Sequence, residues 1–574
     1  MSIIEQARSW IASDPDPETR RELEALLALN DVAALEERFA GPLQFGTAGL
    51  RGLLGAGPSR MNRVTVARAT SGYASWLMKQ VPDASSRGIV VGRDARRNSD
   101  AFEREVIEVL AGSGVPVWVF EDVIPTPVLA FAVLKLRAAG GVMITASHNP
   151  PGYNGYKVYW ENAAQIIPPH DQGIAGEIEL APSALEIPRI SLEDAERRGL
   201  LRKADAMRGE YIEEMASEVR RGQRGPELRI AYTALHGVAE STFRALMARA
   251  GFDDVQSVSE QSVPDGTFPT VAFPNPEEPG AMDRVLDLAQ RIDADLAIAN
   301  DPDGDRVGVA VRCETGFEIL SGNEIGILLA DDLLSVRKRS GQPLVISTIV
   351  SSPMMGPVAA SHGARWEQTL SGHKWIQNRA LELMEQGLDY VFGYEEALGY
   401  APSLAVRDKD GISSALRIAD MASRLKARGE TLLDARDELW GKHGFFADRQ
   451  LSVKFEGAAA QGRMNAVVNR FRDSIPDRIG GLAVLRMLDL ERQLQWTPLG
   501  MRPFADLPRS NVLVFELQGG HRLMLRPSGT EPKLKYYFYA VAPHRADGGL
   551  SASKASALAV LDRMVEYVRD ASDC

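Results

Sequence analysis

Three consecutive mixed, mainly parallel α/β domains followed by a C-terminal α+β domain with an antiparallel sheet are predicted for this chain, on three observations. Short apolar runs alternate with helical patterns through most of the sequence, which is the signature of βαβ units. The last stretch breaks that rhythm: 511–517, 521–526 and 534–541 are strand-like runs joined by short connections, as antiparallel pairing requires. The length of 574 residues exceeds what one hydrophobic core supports and suggests about four domains.

Taken in order, the first 45 residues read as helices, with Asp16-Pro17 as N-cap and first-turn pair. Strands follow at 88–92, 115–120 and 140–144, separated by helices starting after Asn98-Ser-Asp and after Pro125-Thr-Pro. A second such block runs from Leu228 to Val311 and a third from Pro343 to about Phe392. A helix through Leu558 to Val568 closes the chain. Polar, Gly/Arg-rich stretches at 220–226 and 441–444 are the candidate boundary regions, and the expected domains are 1–205, 206–322, 323–445 and 446–574. Ligand loops are expected at the C-terminal ends of the parallel strands.

Composition narrows the function. At 45% hydrophobic and 25% charged residues the chain is ordinary for a soluble globular protein. A formal charge of −12 without a basic block makes nucleic acid a poor partner. No apolar run is long enough to cross a bilayer, the N-terminus has no signal-peptide pattern, and the only cysteines are Cys313 and Cys574. A cytoplasmic location is therefore expected. An acidic chain cannot capture phosphate by its overall field, so any phosphate site must rest on local arginines such as Arg51, Arg306 and Arg526. Oligomeric state is not legible.

Two motifs carry the chemistry. Thr-Ala-Ser-His-Asn-Pro-Pro at 145–151 follows the strand 140–144 and presents the Ser147 hydroxyl at its end. A serine doing chemistry needs neighbours that organise charge; His148, Asn149 and Lys157, the last placed after a turn read at Pro-Gly-Tyr-Asn-Gly-Tyr, are such neighbours. Asp-Pro-Asp-Gly-Asp-Arg at 301–306 sits between two apolar runs, where Asp301, Asp303 and Asp305 would repel one another without a cation. An EF-hand is excluded, because its glycine and bidentate glutamate positions fall on Arg306 and Arg312. Carboxylate oxygens on a short loop, with no Cys or His near, suit Mg²⁺ better than zinc.

Near the C-terminus, Arg526-Pro-Ser528-Gly529-Thr530-Glu-Pro-Lys combines an arginine fork, hydroxyls and a glycine, which suits phosphate. With Gly46-Thr-Ala-Gly-Leu-Arg51-Gly and Gly393-Tyr-Glu395-Glu-Ala397-Leu-Gly-Tyr, these motifs resemble the α-D-phosphohexomutase superfamily, the phosphoglucomutases and phosphomannomutases, over roughly the whole chain. The resemblance implies four domains around a central cleft and an isomerase that carries a phosphoryl group on Ser147. Mg²⁺ would sit on Ser147, Asp301, Asp303 and Asp305, Arg51 would face the phosphoserine, and a sugar 1,6-bisphosphate would serve as intermediate and activator. It further implies Glu395 on the sugar, Arg526, Ser528, Gly529 and Thr530 on the substrate phosphate, and Ser371, Gly372, His373 and Lys374 on the bound sugar phosphate. Lys157 is the candidate for proton transfer, provided nearby cations depress its pKa, with His148 as the alternative.

The expected substrate pair is glucose 1-phosphate and glucose 6-phosphate. Ala397 stands where many members carry a serine, and Thr-Ala-Leu-His-Gly-Val (233–238) and Phe-Pro-Asn-Pro-Glu-Glu (273–278) look like the branch that includes phosphopentomutases and bisphosphate-forming enzymes. Mannose and pentose phosphates are accordingly the alternatives. Two rivals are weaker: a haloacid-dehalogenase-type phosphatase leaves Ser147 unexplained, and a non-catalytic phosphosugar-binding protein would not need the full charged set.

Overall fold

The computed structural model describes residues 1–219, 227–336, 341–457, 459–528, 532–543 and 549–572. The boundary region expected at 220–226 lies outside them, as do Gly529, Thr530 and Cys574. The chain divides into two compact units: Met1–Ile325 with His373–Leu383 and Phe392–Gly429, and Gly326–Gly372 with Met384–Val391 and Glu430–Cys574.

The first unit opens with the expected helices, Ile3–Ser13, Pro17–Ala28 and Val32–Arg38. Ser2 and Glu5 form a capping box on the first, and the Asp16 side chain caps the second with Pro17 in its first turn. Their apolar faces meet at Ala7, Leu23 and Leu35. A six-stranded sheet follows, in the order Leu50–Leu53, Tyr153–Tyr159, Gly140–Ile144, Ile89–Arg93, Val117–Val119, Leu201–Lys203. The last four strands pair parallel and the first two add antiparallel. Val91, Val142, Ile144 and Tyr156 form part of its fully buried core. Each fully buried side chain of this size contributes about 1.5–3 kcal/mol.

Here the sequence reading needs one correction. Tyr153-Asn-Gly-Tyr156 is not a turn but the start of the strand Tyr153–Tyr159. Asn154 spends its amide on Arg97 O and Ser99 Oγ, both at 3.0 Å. At Gly155 a Cβ would meet the carbonyl oxygens of Thr145 and Leu50 at 2.6 and 2.8 Å, so a glycine lets the three strands close.

The second sheet has the order Gly316–Ile319, Val307–Cys313, Leu296–Asn300, Ile230–Thr233, Val255–Ser257. Its centre is parallel, and a hairpin joins Leu296–Asn300 to Val307–Cys313. The third sheet runs Arg365–Thr369, Gln342–Thr348, Leu388–Glu395, Gly399–Ala401. Its strand Leu388–Glu395 belongs to the second unit up to Val391 and to the first from Phe392.

The second unit ends in an eight-stranded sheet whose described pairings are all antiparallel, covered by the helix Gly549–Ala571. The three strands read from sequence are Leu513–Leu517, Arg522–Pro527 and Lys533–Ala542. Phe445–Lys454 escaped that reading because it is an edge strand whose exposed face carries Asp448, Gln450, Ser452 and Lys454. Among the described residues no helix is long and apolar enough to cross a membrane.

Candidate active site

Ser147 sits in the loop that follows the strand Gly140–Ile144, at the C-terminal end of a parallel run. Its backbone turns left-handed, with φ 52°, and its amide donates to Thr145 Oγ1 at 2.9 Å. That turn aims the hydroxyl into the protein. Ser147 Oγ donates to Asp301 Oδ2 at 2.9 Å and lies 3.2 Å from His148 Nδ1.

The hairpin of the second sheet supplies the acidic loop. Asn300 Nδ2 donates to Arg306 O at 2.6 Å, and Arg306 N donates to Asp301 Oδ1 at 2.9 Å, so the loop is folded back by its own ends. Asp301, Asp303 and Asp305 are each 0% exposed, and one oxygen from each lies within 4.8 Å of the others. Cations surround them. Lys157 Nζ donates to Asp303 Oδ2 at 2.6 Å and to Asp305 Oδ2 at 2.8 Å, and Lys409 Nζ lies 3.2 Å from Asp305 Oδ2. Thr126 Oγ1 donates to Asp303 Oδ2 at 2.6 Å.

Even so, Asp303 Oδ1 and Asp305 Oδ1 are buried without a hydrogen-bond partner. Buried carboxylate oxygens left in this state need a cation. An all-oxygen set of this kind fits a hard divalent ion.

The electrostatics follow from this packing. Burial and then the charges of Asp303 and Asp305 push Asp301 well above the usual carboxylate range. Burial acts the same way on Asp305, but Lys157, Lys409 and Arg306 outweigh it and hold that carboxyl far below the range. Lys157 departs from expectation. Burial lowers its pKa, as does nearby Lys409, but Asp303 and Asp305 outweigh both and raise it. His148 is held well below the usual imidazole range by burial, then by Arg306 and Arg51.

The segment around Glu395 reaches this network through the backbone. Glu395 ends its strand, is half-buried and pairs in register with Gly399. Arg306 bridges to Gly399 as well, and Val307 N donates to Leu398 O at 3.2 Å. His373, the first residue of the helix His373–Glu385, is buried with Nε2 3.1 Å from Gly399 O. Lys374 Nζ donates to Thr47 Oγ1 of the 46–52 loop. Arg51 Nη1 donates to Asn149 Oδ1 at 3.2 Å. Ser371 and Gly372, the turn preceding His373, fall in the second unit. So does Arg526, exposed on the strand Arg522–Pro527, with Ser528 N donating to Lys533 O at 2.8 Å.

Sequence reasoning missed Thr126, Lys409 and Arg96. Lys409 had a signal, since Asp408-Lys409-Asp410 ahead of a helix puts three charges in a row that are all buried. Thr126 gave none beyond its place between two prolines. Arg96 lies just beyond the strand Ile89–Arg93 and reads as a surface arginine until its partners are seen.

Comparison with known proteins gives concordant matches. Models of the α/β/α domains I, II and III of phosphoglucomutase/phosphomannomutase match residues 42–183, 209–316 and 321–443. The chain is 34% identical to a phosphopentomutase of Mus musculus, over 94% of this chain and 90% of the mouse protein. It is 38% identical to a probable phosphomannomutase of Haemophilus influenzae, over 84% and 93%. A solved structure of a phosphoglucomutase/phosphomannomutase family protein from Burkholderia thailandensis shares the fold. Its TM-score is 0.67 at 20% identity, covering 92% of this chain and 97% of that one.

Proposed function

Because the chain belongs to the phosphoglucomutase/phosphomannomutase family and is an isomerase of that kind, we propose that it interconverts sugar 1-phosphates and their isomers phosphorylated on the terminal hydroxyl. Glucose 1-phosphate and glucose 6-phosphate are the first pair, and the route runs through phosphorylated Ser147 and a sugar bisphosphate. The observation that carries this reading is the Ser147 hydroxyl, 2.9 Å from the carboxylate cluster.

In the forward step the bond between Ser147 Oγ and phosphorus breaks while a sugar hydroxyl oxygen bonds to that phosphorus; the hydroxyl proton passes to a base and Ser147 Oγ takes up a proton as it leaves. In the return step Ser147 Oγ gives up that proton as it bonds to the other phosphate, whose bond to the sugar oxygen breaks, and that sugar oxygen takes a proton. Asp301, Asp303, Asp305 and Ser147 would hold Mg²⁺, which when bound supplies a Lewis acid at the phosphate oxygens. His148 is favoured over Lys157 for the proton at Ser147 Oγ, since Lys157 Nζ is committed to two carboxylates whereas His148 Nδ1 is 3.2 Å from Ser147 Oγ. Arg51 and Arg306 offset phosphate charge. Glu395 binds the sugar, and His373 and Lys374 its phosphate. The bisphosphate, added from solution, would phosphorylate Ser147 afresh and so act as activator.

Ala397 and the likeness to a phosphopentomutase support pentose phosphates as additional substrates, because a buried polar group discriminates strongly only where it exists. An isomerisation panel of glucose, mannose, glucosamine and pentose 1-phosphates tests this, together with a mass shift of one phosphate on Ser147. Pentose phosphate is expected to turn over beside glucose 1-phosphate, and Ala397→Ser to narrow the range. A strict glucose preference unaltered in Ala397→Ser contradicts it.

The motif at 526–530 assigns Arg526, Ser528, Gly529 and Thr530 to the phosphate that is not being transferred. Arg526→Ala is expected to lower kcat/KM on the order of 100-fold, with KM raised. A KM equal to that of the unmodified enzyme would remove the assignment.

A further inference from the structure

The loop that presents Ser147 is held from behind by a single buried side chain. Arg96 is 3% exposed, and its guanidinium donates to four backbone carbonyls of this loop and the strand after it: Ser147, Asn149, Pro150 at 3.0 Å and Tyr153 at 3.2 Å. Its own backbone is pinned by Asp94, which accepts from Arg96 N at 2.9 Å and from Ser99 Oγ at 2.8 Å. A serine in the left-handed region is strained by about 1–2 kcal/mol. The Ser147 carbonyl accepts from Arg96 while its hydroxyl donates to Asp301.

A second segment covers that guanidinium. Residues 262–282 form a stretch without helix or strand between the short 3-10 helix Ser259–Gln261 and the helix Asp283–Arg291. Structureless connections of this length within a compact domain are usually functional. Phe268 lies over Arg96, with Cζ 4.9 Å from the ring centroid, and its backbone is left-handed at φ 47°, an outlier for so bulky a residue. Gly266 packs on the same residue: a Cβ there would meet Ala95 O at 2.4 Å and Arg96 Cα at 2.6 Å. The segment is anchored on the 233–238 motif, where Asp265 N donates to His236 O at 2.9 Å. Its far end reaches the site itself, with Phe273 6.1 Å from the His148 ring and Glu277 3.6 Å from Arg306. The motifs at 233–238 and 273–278 thereby acquire a shared physical task.

We propose that Arg96 and Phe268 are positioning residues for phosphoryl transfer: Arg96 locks the backbone that keeps Ser147 in its left-handed turn, and the 262–282 segment, through Phe268, locks Arg96. This rests on Ser147 being the phosphoryl carrier. Neither residue touches the reacting atoms, so the effect falls on the transfer step and not on sugar-phosphate binding. Lysine cannot replace the arginine, because one ammonium cannot span four carbonyls in a planar fork.

The test uses the full chain, loaded with glucose 1,6-bisphosphate and given glucose 1-phosphate as acceptor. Loading is read by mass, transfer by single-turnover kinetics and folding by thermal melting. For Arg96→Lys, kcat and the single-turnover rate are expected to fall about 100-fold, the loss typical of a roughly 1 Å misplacement, with KM held within about twofold. Phe268→Leu should lose about 10-fold, and the double variant should lose no more than Arg96→Lys alone, since both act through one clamp. The inference is overturned by a raised KM at unchanged kcat, by activity that falls only as the folded fraction falls, or by losses that multiply in the double variant. Should Arg96→Lys fail to fold, full kcat in Phe268→Leu overturns it. An unmodified enzyme that takes up no phosphate on Ser147 would instead refute the mutase reading, so the two failures are distinct.

Discussion

Ser147→Ala is expected to abolish isomerisation while leaving the protein folded, with kcat reduced on the order of 10⁴-fold or more, as when a covalent carrier is removed elsewhere. The substitution deletes one hydroxyl whose partners are Asp301 Oδ2 and His148 Nδ1, and neither bond holds the loop in place. That work falls to the Ser147 amide on Thr145 Oγ1 and to the carbonyls on Arg96. Alanine also meets the same left-handed backbone at a cost close to that of serine. The variant should therefore melt near the unmodified enzyme, bind sugar phosphate and show no added phosphate by mass. Substantial isomerisation by it would refute Ser147 as the carrier.

Asp303→Asn should retain sugar-phosphate binding and lose most activity. Asparagine keeps the shape and one oxygen for Thr126, but it removes a charge from a set that Lys157 and Lys409 already partly neutralise. Replacing partners that merely support a ligand typically weakens metal affinity or activity 10- to 100-fold, so losing a ligand should reach at least about 100-fold. Excess Mg²⁺ should recover part of the activity, and EDTA should remove the activity of the unmodified enzyme. Calorimetric binding of glucose 1-phosphate provides the second reading. Activity indifferent to both EDTA and the substitution would make the acidic loop structural only.

Much of the site was legible before any coordinates because its chemistry is written in short contiguous motifs. The acidic loop declares itself through charge repulsion between apolar strands, and Ser147 through a polar turn at a strand end. What contiguous motifs cannot declare is which partner a charged side chain takes. Lys157 invited the expectation of a cationic neighbourhood, yet the antiparallel strand that carries it directs its ammonium to Asp303 and Asp305. Lys409 and Thr126 contact the acidic loop from segments 104 and 177 residues away in sequence, separations at which no local pattern operates.

The C-terminal sheet shows the same limit in the fold. Three of its strands, Leu513–Leu517, Arg522–Pro527 and Lys533–Ala542, carry strong apolar character and were readable, whereas Phe445–Lys454 pairs along its whole length with Lys533–Ala542 while keeping one face in water. An edge strand owes its existence to its neighbour's hydrogen bonds more than to its own side chains.

By itself, then, the sequence determined the alternation of strand and helix, the end of that alternation near the C-terminus, and the residues proposed to handle phosphate and metal, because periodicity and local charge density are properties of neighbouring residues. Only the tertiary structure decided that Arg96 points inward beneath Ser147, that Lys157 meets carboxylates, and that Phe268 and Gly266 pack on Arg96. Those outcomes depend on long-range packing, where burying a charge is tolerable only against partners supplied by distant parts of the chain.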